Sequence, residues 1–155
     1  MITFLLSFRG CESIKYSSPT GLAFSQDGRM YVCEQCDSLT VREIDGSESI
    51  LPLCPGPNEE FFESIQCARV CSDDGIVVQD ESGNLTKYSK DGQFIWRIES
   101  ETTSAGSFCI DSSDLLYYAV GDEVKVYSPS GALLHVLVSD INDPGGIAID
   151  GDDNV

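Results

Sequence analysis

A unit of about forty residues recurs along this chain, and no other feature narrows the range of folds so far. Its first copy runs Pro19-Thr-Gly-Leu-Ala-Phe-Ser-Gln-Asp-Gly28, then Arg29-Met-Tyr-Val-Cys33, then Leu39-Thr-Val-Arg-Glu-Ile-Asp-Gly46. The second is Ala68-Arg-Val-Cys-Ser-Asp-Asp-Gly75, Ile76-Val-Val-Gln79 and Leu85-Thr-Lys-Tyr-Ser-Lys-Asp-Gly92. The third is Ser107-Phe-Cys-Ile-Asp-Ser-Ser-Asp114, Leu115-Leu-Tyr-Tyr118 and Val124-Lys-Val-Tyr-Ser-Pro-Ser-Gly131, and a fourth opens with Asp143-Pro-Gly-Gly-Ile-Ala-Ile-Asp150. Aligned on Ser25, Ser72, Asp111 and Asp150, the copies stand 47, 39 and 39 residues apart. The segments Tyr88–Gly92 and Tyr127–Gly131 repeat the 39 spacing independently.

Each unit has room for four short strands separated by Asp-Gly and Ser-Gly turns. In the first they are expected at residues 21–24, 29–34, 40–44 and 48–53; the outermost strands of the next two are expected at 94–98 and 133–137. Val124 and Val126 alternate with Lys125, as on a strand with one buried face. A repeat of this length built from four strands cannot bury its apolar face alone and must stack on its neighbours. The expected fold is therefore all-β, a β-propeller of four-stranded antiparallel blades that is incomplete and open in this chain. The blades are expected at 19–60, 61–100 and 101–140. Residues 1–18 supply the outer strand of a preceding blade (residues 4–8) plus a linker, and 141–155 begin a further blade. On this reading the chain is an internal segment of a longer protein, and its open blade edges make self-association the lesser alternative.

Charge restricts the partners. The 155 residues carry 26 Asp and Glu against 9 Lys and Arg, a net charge of −17. Such a surface repels a phosphate backbone and favours basic partners, which argues against nucleic acid and for protein. No apolar stretch reaches the roughly 18 residues needed to cross a membrane, so no membrane association is expected. The apolar start lacks a basic flank and a small-residue cleavage site, and the seven cysteines follow the strand pattern; reduced thiols in the cytoplasm are expected.

Two passages, residues 19–32 (PTGLAFSQDGRMYV) and 143–155 (DPGGIAIDGDDNV), resemble the NHL-repeat family. The middle repeats lack the Pro-Gly start. The resemblance marks Pro19, Gly21, Gly28, Gly75, Gly92, Asp111, Gly131, Pro144, Gly146 and Asp150 as the repeat signature. It implies a propeller of about six blades, of which three and a half lie here. It also implies a binding scaffold, with the substrate-recognition part of a ubiquitin ligase as one setting. The motif is shared by functionally unrelated proteins, so it speaks for fold more than for function.

No catalytic or cofactor-binding residue is assigned, and no enzymatic activity is claimed. Cys33-x-x-Cys36 with Cys67 and Cys71 suggests a zinc tetrad or, for the first pair, a redox couple. Cys67 and Cys71 are four residues apart on a strand, about 13 Å, too far for one metal. Cys71 and Cys109 fall at repeat positions of Phe24 and Ala23, so they are expected to pack as small apolar groups. Asp150, Asp152 and Asn154 match the first, third and fifth positions of a calcium loop, but Val155 replaces its glycine; a plain turn is expected. Asp111 and Asp150 close inner strands, where calcium-dependent hydrolase or lyase propellers place metal ligands, yet Ser25 and Ser72 stand at the other copies. That enzyme class is one alternative function, and RNA binding by a basic face elsewhere is another. His135 and Trp96 belong to outer strands and are expected at the rim. Asn84-Leu-Thr86 is a glycosylation sequon, and residues 54–60 form a longer inter-blade loop that accounts for the 47 spacing.

Overall fold

Three antiparallel sheets follow one another along the chain, and each is a four-stranded meander whose strands pair in sequence order. The computed structural model describes residues 18–34, 38–57, 64–102, 106–142 and 144–155. The first sheet holds β1 (Pro19–Phe24), β2 (Met30–Glu34), β3 (Ser38–Arg42) and β4 (Glu48–Pro52). The second holds β5 (Ile65–Val70), β6 (Ile76–Asp80), β7 (Leu85–Tyr88) and β8 (Phe94–Ile98). The third holds β9 (Ser107–Ile110), β10 (Leu116–Val120), β11 (Glu123–Tyr127) and β12 (Leu133–Val138). No helix occurs among the described residues, and the expected outer strand at residues 4–8 lies outside them. The expected third strand ends two residues early, at Arg42. There Glu43 N–H donates to Ser47 O (2.9 Å) and Gly46 N–H to Glu43 O (2.9 Å), which closes the β3–β4 turn.

The turns after the inner strands correct the repeat alignment by one residue. A backbone bond closes each of them, from Ser25 N to Arg29 O (3.0 Å), Cys71 N to Gly75 O (2.8 Å), Asp111 N to Leu115 O (3.0 Å) and Asp150 N to Asn154 O (3.0 Å). The equivalent of Ser25 is thus Cys71 rather than Ser72, and the intervals become 46, 40 and 39. The left-handed residue of each turn is Gly28 (φ 87°), Asp74 (59°), Asp114 (61°) and Asp153 (60°). Aspartate is among the few non-glycine residues that adopt this conformation readily, because its short side chain bonds the local backbone. Gly75, aligned by sequence with Gly28, stands one place further on and is needed for space instead. A Cβ there would lie 2.7 Å from Asp73 Oδ1 and 2.8 Å from Lys87 Cε, where Lys87 Nζ meets Asp73 at 2.9 Å. Cys71 accordingly does not match Phe24, whereas Cys109 does match Ala23.

Irregularities recur with the repeat. The β1–β2 ladder shifts between Pro19 and Gly21, and β5–β6 shifts between Ile65 and Cys67. The outer pairs shift at Lys87/Tyr88 and again at Val126/Tyr127. The inner irregularity is thus shared by the first and second sheets and the outer one by the second and third.

Two apolar cores hold the sheets face to face. Ala23, Tyr31, Leu39, Ile65, Ile76 and Tyr88 belong to the core between the first and second sheets. Val77, Leu85, Phe108, Leu116 and Tyr118 belong to that between the second and third. The unbroken run Ile76-Val77-Val78 follows from this, because the second sheet is covered on both faces and alternate residues enter different cores. Polar bonds also cross between sheets: Thr20 Oγ1 donates to Ile65 O (2.6 Å), Gln79 Nε2 to Gly106 O (2.8 Å) and Trp96 Nε1 to Pro129 O (3.0 Å). Every residue of β12 is exposed, unlike β4 and β8. The segment 144–155 carries the fourth turn but no strand among its residues.

Candidate functional site

The inner turns of successive units are fastened to one another. Ser72 donates its N–H to Asp114 Oδ1 (2.8 Å) and its hydroxyl to Oδ2 (2.5 Å). One repeat later Ser112 does the same to Asp153, at 3.0 and 2.5 Å. The left-handed backbone of Asp114 and Asp153 belongs to turns in which each carboxylate receives both bonds from the preceding turn. Phe24 and Gln26, Ser72, and Ser112 line one small pocket of about 150 Å³, so turns of all three sheets converge on one side of the molecule.

Beside this row lies a groove of about 620 Å³ between β9 and the segment 144–155. Its walls include Ile110, Ile147 and Ile149, and its polar lining includes Arg69, Asp111, Asp150 and Asp153. Asp111 accepts from Ser113 N (2.9 Å), Leu115 N (2.8 Å) and Tyr117 OH (3.2 Å). Asp150 accepts from Asp152 N and Asn154 N (both 2.9 Å) and from Asn154 Nδ2. The side-chain amide of Asn154, then the backbone N–H groups, hold the Asp150 carboxyl below the usual carboxylate range. The Ser112 hydroxyl, then its N–H, do the same for Asp153. The groove therefore keeps these two negative charges well into acid.

Because the folded-state pKa of Asp153 is depressed, its clasp to Ser112 contributes at neutral pH and is lost as pH falls through that lowered value. The Ser112 amide proton is expected to titrate in NMR spectra with a midpoint below 3.8, the ordinary value. A midpoint at or above that value would show the clasp absent in solution.

The residues singled out by the sequence are mostly consumed by structure. The Asp150 carboxylate, the Asp152 N–H, and the N–H, Nδ2 and backbone carbonyl of Asn154 form the turn just described. Cys33 is fully buried on β2, and Cys36 lies outside the described residues. Cys54, Cys67, Cys71 and Cys109 are free thiols among the described residues. Among the described residues no group of three or more His, Cys, Asp or Glu is arranged to hold a metal ion. His135 lies exposed on β12, and Trp96 packs against the Gly131 turn of the next sheet. Both atoms of the Asn84 amide are engaged: Nδ2 donates to Asp80 Oδ2 (2.8 Å), and Oδ1 accepts from Ser100 N (2.9 Å). In the 54–60 loop, Cys54 N–H donates to Gly92 O (2.9 Å), while residues 58–60 lie outside the described set. Two features escaped the sequence reading, Arg69 and the serine–aspartate clasps. The clasps had a signal, since Ser72 and Ser112 lie 40 residues apart and Asp114 and Asp153 lie 39 apart; the aspartates are in register from the start, but only the corrected alignment puts the serines in register.

Burial pushes the thiols of Cys71 and Cys109 up to about 11, so neither is a nucleophile at neutral pH. Iodoacetamide at pH 8 is expected to leave both unmodified in the folded protein and to alkylate both in denaturant. Mass spectrometry finding either modified in the native state would contradict the burial.

Stacked four-stranded meanders with their inner strands and turns gathered on one side define an open segment of β-propeller. Solved structures of that class are similar to it. A streptogramin B lyase matches 92% of this chain and 48% of its own length at 19% identity, with a TM-score of 0.69. A catalytically inactive virginiamycin B lyase from Staphylococcus aureus, solved with quinupristin, matches 88% of this chain and 47% of its own length at 15% identity, TM-score 0.67. The computationally designed Ika4 protein matches 98% of this chain and 89% of its own at 17% identity, TM-score 0.63. The chain thus spans about half the length of the two lyases. No family model and no curated protein matches it.

Proposed function

We propose that this chain is a protein-binding scaffold, part of a larger propeller of NHL-repeat type, which holds a partner segment in the groove beside its inner turns. The observation that carries the reading is the groove's chemistry. Asp150 stays ionised because its own turn hydrogen-bonds it and Asp153 because Ser112 of the preceding turn does, and Ile110, Ile147 and Ile149 offer an apolar wall. A partner presenting a basic side chain beside apolar ones is complementary to it. The third sheet holds β9, and the Ser112 bonds to Asp153 tie segment 144–155 to it, which lowers the ordering cost on binding. The substrate-recognition part of a ubiquitin ligase is one setting for such a scaffold, and it requires a RING domain in the same protein.

Calorimetry with lysine-rich and glutamate-rich octapeptides tests the reading. The basic peptide is expected to bind and the acidic one not. Asp150→Asn and Asp153→Asn, which remove the charge and each keep one acceptor oxygen, should each weaken binding about two- to five-fold, the usual effect of an exposed charge. Equal binding of the two peptides, or no effect of either substitution, would refute it. The same titrations with calcium, followed by spectroscopic assays for ring-opening or hydrolysis, address a metal-dependent enzyme: calcium uptake with turnover would replace the scaffold reading.

A further inference from the structure

The described residues include seven Lys and Arg, in a chain where acids outnumber bases 26 to 9. Six of the seven are ion-paired: Arg29 with Glu43, Arg42 with Glu48, Lys87 with Asp73, Lys90 with Asp91, Arg97 with Asp80 and Lys125 with Glu101. Arg69 is the exception among the described residues. Its guanidinium lies over the ring of the fully buried Phe108, 5.6 Å from the centroid, and Nη1 donates to Ala68 O at 2.8 Å. Arginine has five N–H donors in a fixed planar fork. Stacking on Phe108 restricts that fork, only Nη1 meets an acceptor among the described residues, and Arg69 lines the groove, where the remaining donors can serve a ligand.

A half-buried cation without a carboxylate is unusual in so acidic a protein, and its surroundings specify what would complete it. Asp111, Asp150 and Asp153 line the same groove and would repel a phosphate dianion about twice as strongly as a singly charged carboxylate. A carboxylate also matches the guanidinium fork geometrically, with two parallel bonds. The isoleucine wall calls for an apolar group next to that carboxylate.

We propose that Arg69 receives the free C-terminal carboxylate of a peptide chain whose last side chains are apolar and lie on Ile110, Ile147 and Ile149. This rests on the protein-binding reading above and sharpens it, since the partner would be read by its chain end. A basic residue a few positions upstream would then meet the aspartates.

Four acetylated tetrapeptides separate the two ideas: lysine-alanine-leucine-leucine as free acid and as amide, and the same pair with glutamine in place of lysine. Binding is measured by calorimetry on the 155-residue chain and by following the Arg69 Nε–H resonance. The free acids are expected to bind about 10- to 100-fold more tightly than the amides, with or without lysine, as loss of a charge-assisted bidentate contact implies. Arg69→Gln should erase that preference, and Arg69→Lys should keep part of it. The acid-to-amide ratio needs no variant, so it stands even where Arg69→Gln fails to fold. Equal binding of acid and amide overturns the proposal; if lysine still matters, the scaffold reading survives without it. An acid preference with no effect of lysine keeps the proposal and removes the preference for basic partners. An amidated peptide with an internal glutamate that binds as well as the free acids would overturn the assignment to a chain end. Absence of binding by every peptide would overturn both.

Discussion

Gly92→Ala is expected to destabilise the protein by about 2–4 kcal/mol, whereas Gly46→Ala at the same place in the preceding repeat should cost only about 1 kcal/mol. Both glycines have left-handed backbones, with φ 77° and 86°, so alanine is strained at either. They differ in what stands beside them. A Cβ on Gly92 would lie 2.2 Å from Pro52 O, in the first sheet, while one on Gly46 would meet nothing within 4 Å. The bond from Cys54 N–H to Gly92 O runs through the same contact, so relief of the clash must part the outer edges of two sheets. The difference between the variants therefore isolates the contact between sheets from the strain of the turn. In thermal unfolding, Gly92→Ala should lower Tm by roughly 5–15 °C and Gly46→Ala by a few degrees. Equal shifts would mean that the first two sheets are not seated on each other at this edge.

Tyr118→Ala should be the most damaging single truncation between the second and third sheets, at about 3–5 kcal/mol. Tyr118 is 1% exposed and packs with Leu85, Phe108 and Leu116. Its hydroxyl also donates to Gly83 O at 2.6 Å, in the turn between β6 and β7 of the neighbouring sheet. Tyr118→Phe separates the two contributions. It keeps the ring but leaves a buried carbonyl without this donor, and about 1–3 kcal/mol is expected. Denaturant unfolding of the two variants measures both values. A Tyr118→Phe protein as stable as the parent would show that Gly83 O finds water in its place. A small loss in Tyr118→Ala would mean that the second and third sheets do not share a core.

The sheets themselves were legible because their signals are local. Leu39-Thr-Val41 alternates by strand period, and Asp-Gly and Ser-Gly pairs close hairpins by backbone geometry that needs no distant partner. The outer strand expected at 94–98 is β8. The one-residue error at Ser72 has an equally local origin. Asp73-Asp74-Gly75 offers three residues able to adopt a left-handed conformation, and composition does not say which one does. Asp74 takes it, while Gly75 is reserved for the passage of Lys87 towards Asp73.

The candidate site was less legible, since its residues come from parts of the chain that nothing in the local pattern connects. Asp150 was readable as a turn residue because its partners, Asp152 and Asn154, are two and four positions away. Arg69 was not, because its significance is the lack of a carboxylate partner among the described residues, where the six other cations have one. That depends on how sheets from three repeats pack.

The forty-residue repeat by itself determined the strands, their antiparallel order and the division into stacked sheets, because hydrogen-bonded hairpins and period-two burial are short-range physics. Only the tertiary structure decided the true register of the inner turns, the serine–aspartate clasps between successive units and the isolation of Arg69 over Phe108. Those depend on which atoms of one sheet come within bonding distance of the next, and such distances arise only when the two apolar cores close.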